Sequence, residues 1–177
     1  MAWLTDAAGL DRLCEALAAQ IVAGRRRESK IALVGVRTRG LPIAERIARH
    51  LSEKLGENVP IGAVDTTLYR DDLEHAGRWP KLHGTDVPFD VEDAEIVLVD
   101  DVLNTGRSGR AALNIVCDLG RPACVRLAVV VDRGGRELPI QADYVGLRVE
   151  AIPEERIVVR IEPIDEVRGI ERVSDSA

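Results

Sequence analysis

Short aliphatic runs alternate with longer stretches of helical period, and this alternation restricts the chain more than any other feature. Ile31–Val36, Ile96–Val99 within Glu95–Asp100, and Cys124–Val131 each read as a strand. Apart from Arg126 they are apolar along the run rather than on alternate residues, the pattern of strands covered on both faces. Between them, Leu41–Gly56 reads as a helix with Pro42 in its first turn, where a missing N–H costs little. Arg107–Leu119 reads as another, ended by Gly120 and Pro122, and Thr5–Gly24 as an amphipathic one carrying Leu10, Leu13, Cys14, Leu17 and Ile21. Val59–Tyr69 contains a further strand, and Tyr144–Val149 and Ile157–Ile161 are shorter ones. The tail after Glu162 is polar and is expected to fray. The expected fold is α/β, one domain over residues 1–177, with a mainly parallel central sheet flanked by helices. Apolar residues make up 46% of the chain and aromatic ones only 3%, so the core must be packed from Val, Ile, Leu and Ala.

Residues Arg70–Asp90 break the pattern. They are polar, punctuated by Pro80, Gly84 and Pro88, and long for a connection in a compact domain. Such a segment is expected to be a flexible lid, part of which can form a hairpin.

The net charge of −6 excludes a global basic field that would collect nucleic acid or anionic membrane. Cys14, Cys117 and Cys124 are odd in number and lack metal-ligand spacing, which predicts reduced thiols in a cytoplasmic protein. His50, His75 and His83 share no metal-site spacing and are expected to face solvent. No signal peptide is visible, and no apolar run approaches the roughly 20 residues of a membrane span.

The segment that carries chemistry runs from Val97 to Gly109: apolar residues, the adjacent acids Asp100 and Asp101, a Thr/Gly/Ser-rich loop, then a helix. A helix start presents unpaired amides and a positive dipole end, both suited to phosphate. Thr105 and Ser108 add hydroxyl donors, and two acids at a strand's carboxyl end can accept from sugar hydroxyls or hold a hydrated Mg²⁺. The GxGxxG and GxxxxGK[ST] fingerprints are absent. Gly35–Gly40 has the latter's glycine spacing, but Leu41 stands where Lys is needed.

Val97–Gly109 resembles the PRPP-binding signature of type I phosphoribosyltransferases, where PRPP is 5-phosphoribosyl-1-diphosphate. Val34–Gly40, Thr67–Asp72, Asp132–Ile140 and Ala142–Gly146 resemble the corresponding segments of the PyrR family, in the same order, over about residues 5 to 165. That family comprises regulators of pyrimidine operon attenuation that are also uracil phosphoribosyltransferases. The resemblance implies the type I phosphoribosyltransferase fold with a flexible hood, Mg²⁺ as cofactor, and conversion of uracil and PRPP to UMP and pyrophosphate. It further implies a cytoplasmic homo-oligomer, dimer or tetramer.

By the same resemblance, Leu103, Asn104, Thr105, Gly106, Arg107, Ser108 and Gly109 would hold the 5′-phosphate, with Val102 beside them among the residues that bind PRPP or UMP. Asp100 and Asp101 would contact the ribose and, through water or PRPP, the metal. Thr38, Arg39 and Gly40 look like the pyrophosphate loop, which in such proteins often has a strained or cis peptide. Arg39 and Arg70 would neutralise departing pyrophosphate, and Tyr69 and Arg70 would begin the lid. Asp132, Arg133 and the backbone near Val149 would contact the base. Asn104 stands where purine enzymes often carry an acid, which disfavours a purine substrate and leaves no evident proton acceptor for uracil.

A second function is implied as well: binding of pyr leader mRNA under control of UMP. An attenuator with little or no catalytic activity is the alternative to the enzyme. RNA-binding relatives carry basic residues around Glu137–Ile140. Here Arg136 is kept, but Gly135 and Gln141 are not basic, nor are Glu15 and Ala19 on the first helix. Loss of several phosphate contacts predicts weak or absent RNA binding.

Overall fold

The computed structural model describes residues 2–26, 29–67, 84–150, 152 and 154–174. Its elements are β1 (Ala2–Thr5), α1 (Ala7–Gly24), β2 (Ile31–Val36), α2 (Gly40–Leu55), β3 (Ile61–Val64), β4 (Glu95–Leu103), α3 (Arg107–Leu119), β5 (Cys124–Asp132), β6 (Tyr144–Arg148), β7 (Glu155–Arg160) and β8 (Gly169–Ser174). Five strands form a parallel sheet in the order β3-β2-β4-β5-β6. Side chains alternate across it. Leu33, Val97, Val99, Ala128 and Val130 pack with α1 and α2 on one face. Val34, Ile96, Leu98 and Val129 pack with Ala112, Ile115 and Val116 of α3 on the other. Burial on both faces explains why these strands read as unbroken apolar runs.

The helices obey local rules. Asp6 caps α1 by accepting the Gly9 amide at 2.8 Å. Gly56 ends α2 in the left-handed conformation, φ 71°. The cap of α3 is Gly106, φ 94°, which contributes no side chain to the helix's first amides.

Two expectations about the elements fail. The residues after Asp100 were expected to leave the sheet at once, but β4 continues through Leu103, because Val102 and Leu103 pair with Val131 and Asp132 of β5. As far as Ser174 the tail does not fray: β8 lies between β1 and β7 in a small antiparallel sheet. Its polar look comes from Glu171, which is buried against Arg160 of β7 at 2.8 Å. Most of the expected lid, residues 68–83, with Tyr69, Arg70, His75 and His83, lies outside the described residues. Beyond it, Asp86 bridges Ala63 of β3 through two backbone hydrogen bonds, 2.7 and 2.8 Å. His50, expected in solvent, is half-buried.

Candidate active site

The carboxyl ends of the adjacent strands β2 and β4 open into one cavity of about 320 Å³. Residues 37–39 after β2 and residues 100–102 of β4 line it together with Ser108 of α3. Chain order reverses here, since β3 lies to one side of β2 and β5 to the other side of β4. That is where α/β sheets bind ligands.

Asp100 is buried and Asp101 half-buried. Each carboxylate accepts the amide of the following residue, at 3.0 and 2.8 Å, and this fixes its direction. Burial pushes the Asp101 pKa up; the Val102 amide, Asp100 and the positive charge of Arg39 act against that. Facing the acids is a cationic loop. The Arg37–Thr38 peptide is cis, and the Arg37 Nε is buried with no hydrogen-bond partner among the described residues. A buried cationic donor lacking an acceptor favours an anion in this cavity. Gly40 starts α2 so close to β4 that a Cβ would lie 2.4 Å from the Val99 carbonyl oxygen.

The turn 104–106 carries β4 into α3. The Thr105 carbonyl accepts the Glu137 and Leu138 amides, both at 3.0 Å. Glu137 also pairs with Arg107 at 2.7 Å. A Cβ on Gly106 would meet Ile140 at 3.0 Å, and one on Gly109 would meet it at 3.3 Å, so only glycine lets 138–140 lie over the turn. The Leu103 side chain is buried in the core.

A second cavity, about 460 Å³, is lined by Asp132, Arg133, Arg136, Arg148, Val149 and their neighbours. The Asp132 carbonyl accepts the Val149 amide at 2.9 Å, which joins the ends of β5 and β6. The Asp132 carboxylate accepts from Arg136 at 2.7 Å, Arg148 at 3.0 Å and the Gly134 amide at 3.1 Å. Burial opposes its ionisation, but these donors prevail and lower its pKa. Arg136 turns inward: besides Asp132 it donates to the carbonyls of Asn104 at 2.9 Å and Ile140 at 2.9 Å, and to those of Gly134 and Leu103 at 3.2 and 3.4 Å. It thereby ties the turn 104–106 to the second cavity.

Thr38, Arg39, Asp100, Asp101, Val102 and Ser108 thus meet at one cavity, while Asp132, Arg133 and Val149 meet at the other. Gly40 supports the first from behind, and Asn104–Gly106 with Gly109 form the turn at its edge. Arg70 is outside the described residues. Sequence reasoning missed Asp165, which holds Arg39 through two hydrogen bonds at 3.1 and 3.0 Å. The partners are 126 positions apart, and nothing local to either announces the pair.

Known proteins resemble this chain in sequence and in fold. The phosphoribosyl transferase domain family matches residues 4–162. The Bifunctional protein PyrR of Thermus aquaticus is 49% identical over 162 residues, which cover 92% of this chain and 90% of that protein. Its namesake from Pelotomaculum thermopropionicum is 46% identical over 172 residues, 97% of this chain and 93% of that one. Among solved structures, a hypoxanthine-guanine phosphoribosyltransferase from Bacillus anthracis aligns with TM-score 0.74 over 98% of each chain at 20% identity, a likeness of fold alone. A match over nearly the whole chain and near-half identity to the PyrR proteins place this protein in the phosphoribosyltransferase domain family and, within it, among the PyrR proteins.

Proposed function

We propose that the chain transfers the phosphoribosyl group of PRPP to uracil, releasing pyrophosphate and forming UMP. The observation that carries this reading is the first cavity, where a cationic loop faces two acids beside the start of α3, whose cap Gly106 offers its amides no side chain and where the Arg107 amide points to the Thr105 hydroxyl at 3.4 Å. PRPP presents a diphosphate, two ring hydroxyls and a 5′-phosphate, and each has a counterpart there. Arg37 and Arg39 neutralise the diphosphate as its bond to the sugar breaks. Asp100 and Asp101 accept from the ribose hydroxyls, and the first amides of α3 with Thr105 and Ser108 hold the 5′-phosphate. The base lies toward Asp132, Arg133 and Val149.

The acids suit Mg²⁺. Among the described residues no three His, Cys, Asp or Glu gather, so the protein's share would be Asp100 and Asp101, with water and PRPP oxygens completing the set. When bound, the ion would add positive charge beside the departing diphosphate. Asn104 does not titrate, and Asp132 is held in its ionised form as a weak base, so turnover is expected to be slow.

Formation of UMP from labelled uracil, PRPP and Mg²⁺ tests the reading, with Thr105→Ala and Asp101→Asn as controls. No product above those controls defeats it.

The relatives are named bifunctional. For the second activity we expect binding of pyr leader RNA that is weak or absent. Exposed Gly135 and Gln141 bring no charge to the surface, and Arg136 directs its guanidinium inward. A gel shift with and without UMP tests this, and UMP-dependent submicromolar binding overturns it. Among the described residues no helix is long and apolar enough to cross a membrane. We read the chain as one cytoplasmic domain that assembles into a dimer or tetramer.

A further inference from the structure

We propose that Asp165 is a positioning residue for PRPP: it fixes the Arg39 guanidinium at the wall of the first cavity and ties the 37–40 loop to the small antiparallel sheet, an inference that rests on that cavity being the PRPP site. Arg39 offers Nε to one Asp165 oxygen at 3.1 Å and Nη2 to the other at 3.0 Å. This fork is the arrangement in which a planar guanidinium and a carboxylate hold each other's orientation, not merely their separation.

The carboxylate is itself fixed. The Ile161 amide donates to Oδ2 at 3.0 Å and Arg160 Nη1 to Oδ1 at 3.1 Å. Four donors thus occupy a group with about four acceptor positions. Arg160 is braced in turn by buried Glu171 on β8. The Asp165 side chain is only 8% exposed, which separates this pair from the solvated ion pairs that contribute little. Burial opposes ionisation of Asp165, yet Arg39, the Ile161 amide and Arg160 lower its pKa to about 2, so the carboxylate is charged under all ordinary conditions.

The small sheet also reaches the cavity directly, since Ile157 of β7 is part of its wall. A guanidinium has five N–H donors, and Asp165 takes two. The remaining three belong to a residue that lines the cavity, and they suit an incoming diphosphate. Without Asp165 the long Arg39 side chain would sample many rotamers and recover that order only when PRPP binds.

The test uses the full chain with Asp165→Ala, Asp165→Asn, Arg39→Ala and the Asp165→Ala/Arg39→Ala pair. Each variant is melted, then titrated calorimetrically with PRPP and Mg²⁺ well below its midpoint; KM for PRPP and kcat are measured alongside. Asp165→Ala should weaken PRPP binding about tenfold and raise KM in parallel, and should cost almost nothing further once Arg39 is Ala. If Asp165→Ala does not fold, the near-isosteric Asp165→Asn takes the same readouts. A purely structural role would lower the melting point and leave the affinity of the folded protein unchanged. That result overturns the inference. So does tighter binding, which would make Asp165 a competitor for Arg39, or an equal penalty in the Arg39→Ala background. Failure of the unaltered chain to bind PRPP would overturn the transferase reading and this inference with it.

Discussion

Gly40→Ala is the substitution whose outcome is best determined by the geometry. Gly40 opens α2 directly over the centre of the sheet, and an added Cβ would sit 2.4 Å from the Val99 carbonyl oxygen. Real contacts of this kind are essentially never under 3.0 Å, so the two must separate by at least about 0.6 Å. Val99 cannot yield, because β4 is held in register by β2 on one side and β5 on the other. The helix must move instead, carrying Thr38 and Arg39 away from Asp100 and Asp101. Overpacking of this sort costs about 2 kcal/mol, which for a chain of 177 residues lowers the melting point by roughly 4–8 °C. A displacement approaching 1 Å between groups that must engage one ligand should reduce kcat/KM for PRPP by about 10–100-fold. Gly56→Ala is the control: nothing lies within 4 Å of its added Cβ, and its positive φ costs about 1 kcal/mol far from the cavity, with activity retained. A Gly40→Ala protein that melts and turns over like the parent would refute the reasoning.

Asp101→Asn should separate stability from activity. Burial raises the Asp101 pKa above 3.8, so its ionised form costs folding free energy as pH rises past that value. The variant should melt at or above the parent temperature at neutral pH while UMP formation falls; a lower melting point with activity kept contradicts this. Asp165 has the opposite sign. Its pKa falls from 3.8 to about 2, so its contribution, about 2 kcal/mol, is complete above 3.8 and disappears as pH falls through about 2. Urea unfolding of the parent and Asp165→Asn should therefore differ above that window and converge below it, and a gap independent of pH would exclude this cause. Arg136→Lys keeps the charge but replaces a five-donor fork with a three-donor point, losing bonds to the Asn104 and Ile140 carbonyls. KM should rise for both PRPP and uracil, at a stability cost of about 1–3 kcal/mol read from the melt. A change confined to RNA binding would show that Arg136 faces outward instead.

The parts of the fold visible in the sequence are those whose burial is uniform or regularly periodic. β2 is buried at all six positions, and α3 spans Arg107–Leu119 as its periodicity predicts. The end of β4 was hidden because Asp101 resembles the start of a loop. Pairing of Val102 and Leu103 with β5 keeps this stretch in the sheet, a cause that lies in another segment. β8 was hidden for a related reason: the inward residue Glu171 is a carboxylate, and only its arginine partner on β7 makes that position interior. The turn between β4 and α3 was legible because its residues are contiguous, from Asp100 to Gly109. The Arg39–Asp165 pair and the inward direction of Arg136 depend on where distant backbone arrives, which no local pattern records.

The length of β4 acts as a ruler. Gly35 is level with Val99, so β2 stops beside Asp100 while β4 extends three residues further, to Leu103. At about 3.3 Å per residue, the end of β4 stands about 10 Å beyond the end of β2 along the strand direction. On the proposed reading, the diphosphate of PRPP rests by the shorter strand and its 5′-phosphate by the longer one, so the step between the strands matches a molecule whose two anionic ends are held apart by a pentose, and an anion of shorter reach would meet one end only.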